Sequence, residues 1–332
     1  MIQSEDHRKA MLFDHPRNIP VSVAFLPATR SKYRERLDEL ASRHPVIFGA
    51  IDGWGKDYDT LTGQWQGGKY VDAWGCGWDN IQPGMVAIVT SHPITTRAAV
   101  HTFKAPATDE GLPHGFMFLR LCDLRGFEEM MVDFAEEPPE LQMLIDIVLA
   151  YNMRQMDRLL TAYNMRKMEK PVTGPVWPEI VSVGDDLGIQ TSLPISPAKW
   201  RKYLKPCYRK LYERCHAADY PVYMHTDGHI YEIIPDLAEC GVDVINPQFR
   251  ANGLENLART CKGKICVDLD LDRQMFPFCK PRDIDAHVRE AVEKLGSPEG
   301  GLWLKAECGP DIPLENIEAI CAALEKYRSY FA

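Results

Sequence analysis

The 332-residue chain has no Cys-x-x-Cys pair, and its ten cysteines (76, 122, 207, 215, 240, 261, 266, 279, 308 and 321) follow no regular interval. Scattered thiols in a large chain read as the reduced cysteines of a cytoplasmic protein, packed mostly as small hydrophobes, with one or two available as ligands. No stretch approaches the roughly 20 apolar residues that span a bilayer. The start, Met1-Ile-Gln-Ser-Glu-Asp-His-Arg8, is polar and lacks the apolar core of a signal peptide. Positive charge is also in short supply. The formal net charge of −9 argues against nucleic acid or an anionic membrane surface as the main partner. No G-x-G-x-x-G or Walker loop follows any strand, so dinucleotide and P-loop readings have no support. Internal repeats, low-complexity tracts and linkers are absent, which implies a single domain over residues 1–332.

What is present is an alternation of short apolar runs and amphipathic stretches, with 45% apolar and 26% charged residues. A helix is expected over 3–16 and a strand at Pro20–Leu26, then a helix from Ser31 to His44 and a strand at Pro45–Ala50. Residues 52–82 break the rhythm with seven glycines and four tryptophans (54, 65, 74 and 78). The segment Tyr70–Trp78 reads either as a twisted hairpin packing aromatics on the core or as an aromatic wall over a site mouth. Further on, strands are expected at Phe116–Leu121, Glu179–Asp186, Pro221–Met224, Val242–Asn246, Lys264–Asp270 and Gly301–Cys308. The intervening helices run from Gly126 to Arg166 (broken at Pro138-Pro139), from the Ser196-Pro197 cap to Ala218, over 281–295, and from Pro313 to Tyr330. About eight strands, each followed by a helix, imply α/β architecture. The length suits a closed (β/α)8 TIM barrel with an N-terminal extension and aromatic-rich segment over 1–80.

In such a fold, chemistry gathers at the C-terminal ends of the strands. Those ends carry Asp185 and Asp186; His225, Asp227 and His229; Asn246 and Gln248; Asp268, Asp270 and Asp272; and Glu307 and Cys308. Singly, a strand-end Asp is often a helix cap and a lone His is often structural. Together they resemble a metal site, since tetrahedral zinc takes three or four N, S or O ligands from separate strands. His225, Asp227 and Cys308 are the candidate ligands, with Glu307 competing. The i, i+2 spacing of His225 and Asp227 puts both on one side of a strand, whereas Glu307 and Cys308 point oppositely.

The runs Gly184-Asp-Asp-Leu-Gly-Ile-Gln190, Ile195-Ser-Pro-Ala-Lys-Trp200, His225-Thr-Asp-Gly228 and Ile234–Pro247 resemble the uroporphyrinogen decarboxylase superfamily. Asp272-Arg-Gln274, Cys308–Ile317 and Tyr70–Gly75 fit the same pattern. The resemblance covers most of the chain from about residue 70 and implies a TIM barrel without fixing one reaction. The stretch Pro20–Arg30 lacks the paired-arginine motif of the true decarboxylases, which need no metal. The chain is more similar to the cobalamin-linked methyltransferases, whose zinc is held by a His-x-Cys pair and a distant Cys. His225 and Cys308 stand at the matching places, but Asp227 replaces the middle cysteine.

A carboxylate is a harder ligand than a thiolate. The substitution therefore favours an ion that polarises oxygen over one that holds a nucleophilic sulfur. The resemblance then implies methyl transfer between an O-methyl (methoxylated) small molecule and a corrinoid carried by a partner protein, assisted by zinc or another divalent metal. Asp186, Gln190 and His229 would orient the substrate or carry a proton. Two alternatives stay open: a metal-free decarboxylase or lyase acting on a small acidic substrate, and a catalytically silent ligand-binding barrel.

Overall fold

The computed structural model describes residues 4–51, 55, 57–108, 111–169 and 179–332, without the side chains of residues 168 and 169. Gln3, where the first expected helix begins, and Trp54 of the glycine-rich segment lie outside the described residues. The chain divides into two compact units. One holds Tyr70–Trp78 and Val89–Pro247, the other Glu5–Lys69, Asp79–Ile88 and Gln248–Ala332.

Among the described residues nine strands are formed: β1 (Val21–Phe25), β2 (Gly68–Val71), β3 (Gly77–Asn80), β4 (Ile88–Ser91), β5 (Val181–Gly184), β6 (Val222–Thr226), β7 (Val244–Pro247), β8 (Cys266–Asp270) and β9 (Leu302–Cys308). Six of them are parallel, three in each unit. In the first unit β6 lies between β5 and β7, with Gly184 opposite His225 and His225 opposite Asn246. In the second, β9 lies between β1 and β8, with Phe25 opposite Cys308. Strands β2, β3 and β4 form a separate sheet in that order, so the hairpin reading of Tyr70–Trp78 agrees with the structure.

The fold is α/β, but the described residues hold six parallel strands where eight were expected. Two expected strands are helical, each for a local reason. At Pro45–Ala50 the chain forms the one-turn helix Pro45–Phe48, because a proline at the first turn presets the helical φ and has no donor to lose. At Phe116–Leu121 the helix Phe118–Arg125 begins. Its first amides, those of Met117, Phe118 and Leu119, donate to the Asp185 carboxylate at 3.1, 2.6 and 2.9 Å. An anion at a helix N-terminus satisfies orphan donors and meets the positive end of the dipole. A contact 66 residues away in sequence therefore overrides the β-like pattern.

Elsewhere the expected elements hold with sharper ends. The Pro138-Pro139 break separates helices Phe127–Glu136 and Pro139–Glu169. The Ser196 hydroxyl caps helix Pro197–Tyr203 by accepting from the Lys199 amide. The next helix, Lys205–Ala217, buries Cys207, Tyr208, Leu211, Tyr212 and Cys215, a 3.6-period stripe. Along β6, Val222, Met224 and Thr226 are buried while Tyr223 and His225 are half-open. Tyr212 donates to the Met224 sulfur at 3.1 Å. This alternation turns His225 to the face opposite the packed helix. All ten cysteines are free thiols and nine are buried. Among the described residues no helix is long and apolar enough to cross a membrane.

Candidate functional site at the ends of three parallel strands

Within the first unit, the C-terminal ends of β5 and β6 and the loop carrying His114 bring one carboxylate to two imidazoles. His114 Nε2 lies 3.1 Å from Asp186 Oδ1, and His225 Nε2 lies 4.0 Å from the same oxygen. The two rings are 5.4 Å apart. Asp186 Oδ1 also accepts the backbone N–H of Asp227 at 3.0 Å, which ties the end of β5 to the end of β6. Asp227 Oδ1 sits 3.3 Å from His225 Nε2.

The orientation of the His225 ring is set by its Nδ1 contact. Its Nδ1–H donates to the Oδ1 of fully buried Asn246 at 2.6 Å. Nε2 therefore faces two carboxylates, and a proton or a cation there would bridge these groups. Holding a histidine through its far nitrogen is also how proteins orient imidazole ligands.

Glycines make the geometry possible. A Cβ on Gly184 would lie 2.5 Å from His114 Nδ1, so a larger residue would displace that ring. The loop carrying His114 is anchored by the Gly115 amide donating to Gly184 O at 2.8 Å. Further out, the backbones at Gly188 and Gly228 touch. A Cβ on Gly228 would come within 2.2 Å of Gly188 C and O, and one on Gly188 within 2.4 Å of His229 N. Gly228 also has φ +82, which side chains with a Cβ rarely adopt.

Charge is distributed with purpose. Burial is the largest single influence on His114 and draws its pKa down. The Asp186 hydrogen bond and charge, helped by Asp185 and Asp227, outweigh it, and the net shift is upward. Burial pushes the Asp185 carboxyl up, against the Tyr208 hydroxyl (2.6 Å) and the helix amides that hold it down. Asp185 is thus a structural anchor, and Asp186 is the open acid of the pair. Among the described residues Asp186 has no lysine or arginine partner.

The remaining residues singled out by sequence fall in three places. Gln190 is exposed on the loop after β5. His229 is mostly buried on the loop after β6, with Nε2 3.6 Å from Glu232 and its amide donating to Ile189 O at 2.8 Å. Glu307 and Cys308 stand on β9, in the other unit. There Glu307 pairs with Arg273 at 2.5 Å, while Cys308 is fully buried and burial pushes its thiol well up. The acids at the end of β8 are buried too, with Asp272 accepting from Arg250 at 3.0 and 2.6 Å.

Among the described residues, one group of three such side chains, His114, Asp186 and His225, has ligand atoms all within 4.8 Å of one another. These three side chains could hold a metal ion. Sequence reasoning selected Asp186 and His225 and missed His114. It lies in the loop before a misassigned strand, and only the Pro113-His114-Gly115 turn marks it.

An α/β unit with polar groups at its parallel strand ends defines the class. Residues 179–327 match the family model described as Uroporphyrinogen decarboxylase (URO-D), a span that includes β5 to β9. Over this part of the chain, the superfamily resemblance carried by the motifs is shown. A search of curated proteins finds no match. Among solved structures, a methyltransferase from Methanosarcina mazei is similar with a TM-score of 0.62, 17% identity, and coverage of 98% of each chain. At that identity the likeness shows the fold alone. An intracellular xylanase from Thermoanaerobacterium saccharolyticum covers 50% of this chain and 57% of its own, at 15% identity and a TM-score of 0.34, and carries no argument.

Proposed function

We propose that this chain is a metal-assisted methyltransferase that moves a methyl group between an O-methyl small molecule and a corrinoid protein. The observation that carries the reading is the convergence of Asp186, His225 and Asp227, on a URO-D-like strand-end face, with no lysine or arginine partner at Asp186 among the described residues. The name of the Methanosarcina mazei neighbour and the motif resemblance point the same way. When bound there, zinc or another divalent ion supplies Lewis acidity toward the oxygen that loses its methyl group.

The chain's own residues account for the rest. Asn246 holds the His225 ring with Nε2 turned toward the carboxylates, so little reorientation is needed on binding. The Asp227 amide fixes the Asp186 carboxylate. In the transfer the C–O bonding pair remains on oxygen, which takes up a proton. Asp227 is placed to hold or release that proton, and His229 and Gln190 lie on the flanking loops to orient the donor.

One observation favours a second reading. The His114–Asp186 and His225–Asp227 contacts, at 3.1 and 3.3 Å, already pair acids with bases, as a metal-free decarboxylase or lyase requires. A single experiment separates the two: incubate the purified protein with zinc and a reduced corrinoid protein across a panel of methoxylated compounds. Methyl-corrinoid formation that vanishes with His225→Ala and with chelator is the expected result. No demethylation of any compound, or turnover of an acid without corrinoid, overturns the proposal.

A further inference from the structure

We infer that the metal ion is held without thiolate, by His114 Nε2, Asp186 Oδ1 and His225 Nε2, and that Asp227 stands beside this set without joining it. The inference rests on the metal-assisted reading above and replaces the ligand set expected from sequence, His225, Asp227 and Cys308.

Distance is the first reason. Ligands at 2.0–2.2 Å from a tetrahedral ion are separated from one another by about 3.3 Å. His114 Nε2 and Asp186 Oδ1 are 3.1 Å apart and need no movement. His225 Nε2, 4.0 Å from Asp186 Oδ1, needs less than a side-chain rotation. Asp227 does not belong to the group whose ligand atoms all lie within 4.8 Å of one another.

Orientation is the second reason. The Asn246 contact at Nδ1 leaves Nε2 as the His225 nitrogen turned toward the carboxylates. Cys308 presents the opposite case, a fully buried thiol outside the group of converging ligand atoms.

The third reason is the space at Gly184, which lacks the atom that would push His114 aside. Two imidazoles and one carboxylate leave a fourth position open, the pattern of a catalytic rather than a structural ion. The set suits an ion that would act on oxygen, the chemistry that a methoxylated donor would require.

The test uses metal binding rather than turnover. Metal-free protein is titrated with zinc(II) and with cobalt(II), and the visible spectrum of the cobalt form is recorded. His114→Ala and His225→Ala should each weaken binding by at least about 100-fold, and Gly184→Ala by roughly 10- to 100-fold. Asp227→Ala and Cys308→Ser should bind as the parent does, and the cobalt form should lack a thiolate-to-metal charge-transfer band. His114 is about half exposed, so its truncation leaves the fold intact, and circular dichroism verifies that for Gly184→Ala. A charge-transfer band that Cys308→Ser removes overturns the inference, as does full affinity in His114→Ala. Metal bound in the expected pattern without demethylation leaves this inference standing and removes the proposed reaction. Metal-dependent demethylation with a thiolate band does the reverse. A parent protein that binds neither metal overturns both.

Discussion

The strand ends of the two units carry similar numbers of acids and treat them differently. After β8 and on β9, acids are answered by guanidinium groups: Asp272 by Arg250, Glu307 by Arg273, with Asp270 4.0 Å from Arg273 as well. After β5 and β6, Asp186 is answered by an imidazole and a backbone amide, and Asp227 lies against another imidazole. A guanidinium never gives up its charge, so its partner acid is spoken for. An imidazole changes charge near neutral pH and coordinates metals, so its partner acid stays available. The same residue type at the same kind of position is therefore scaffold in one unit and candidate chemistry in the other.

The sharpest way to break this contrast lies in Asp185, the acid beside Asp186 that neither an arginine nor an imidazole answers. Asp185→Ala strands three amides at the start of helix Phe118–Arg125 and the Tyr208 hydroxyl. It should cost about 3 kcal/mol of stability by denaturant titration. A loss below about 1 kcal/mol would remove Asp185 from the scaffold.

Asp123 is an intermediate case, with Arg120 nearby at 3.9 Å but not in close contact. Burial pushes its carboxyl up to about 6, with the Arg120 charge pulling the other way. The folded state then binds a proton more tightly than the unfolded chain. This contribution is complete below the ordinary carboxylate range and is lost as pH rises through about 6. Over that window the parent should lose on the order of 2 kcal/mol relative to Asp123→Asn, whose stability should stay flat. Parallel curves for the two proteins would contradict the assignment.

The smallest effect is expected where charge is already answered. Glu307→Gln breaks a half-exposed ion pair with Arg273 and should shift stability by less than about 1 kcal/mol. It should leave metal affinity unchanged. A loss of metal in this variant would return Glu307 to the ligand set.

The sequence was informative where chemistry and local pattern coincide. The period-2 alternation of β6 and the His-x-Asp spacing led to His225 and its strand-end setting, and the Ser196-Pro197 cap is formed as read. Information ran out where a distant contact decides. Phe116–Leu121 reads as a strand until the Asp185 carboxylate captures its amides. Glu307 reads as a competing ligand, and nothing in the sequence signals the Arg273 side chain, 34 residues earlier, that pairs with it. His114 carries no spacing to any other ligand, because a loop brings it to the site and a missing side chain at Gly184 admits it. Pro45–Ala50 failed for a simpler reason: three apolar residues after a proline satisfy one helical turn as well as a strand.

The touching backbones at Gly188 and Gly228 restrict how this face can change over time. Tight side-chain packing usually drifts by paired exchange, one residue growing as its neighbour shrinks. Here neither partner can shrink, since both are already the smallest residue there is, so no second mutation can rescue a first. The two positions should behave as one inherited unit across related chains. Lineages that alter the spacing of Asp186 and Asp227 should do so by inserting or deleting residues in these loops, and not by substitution at the crossing.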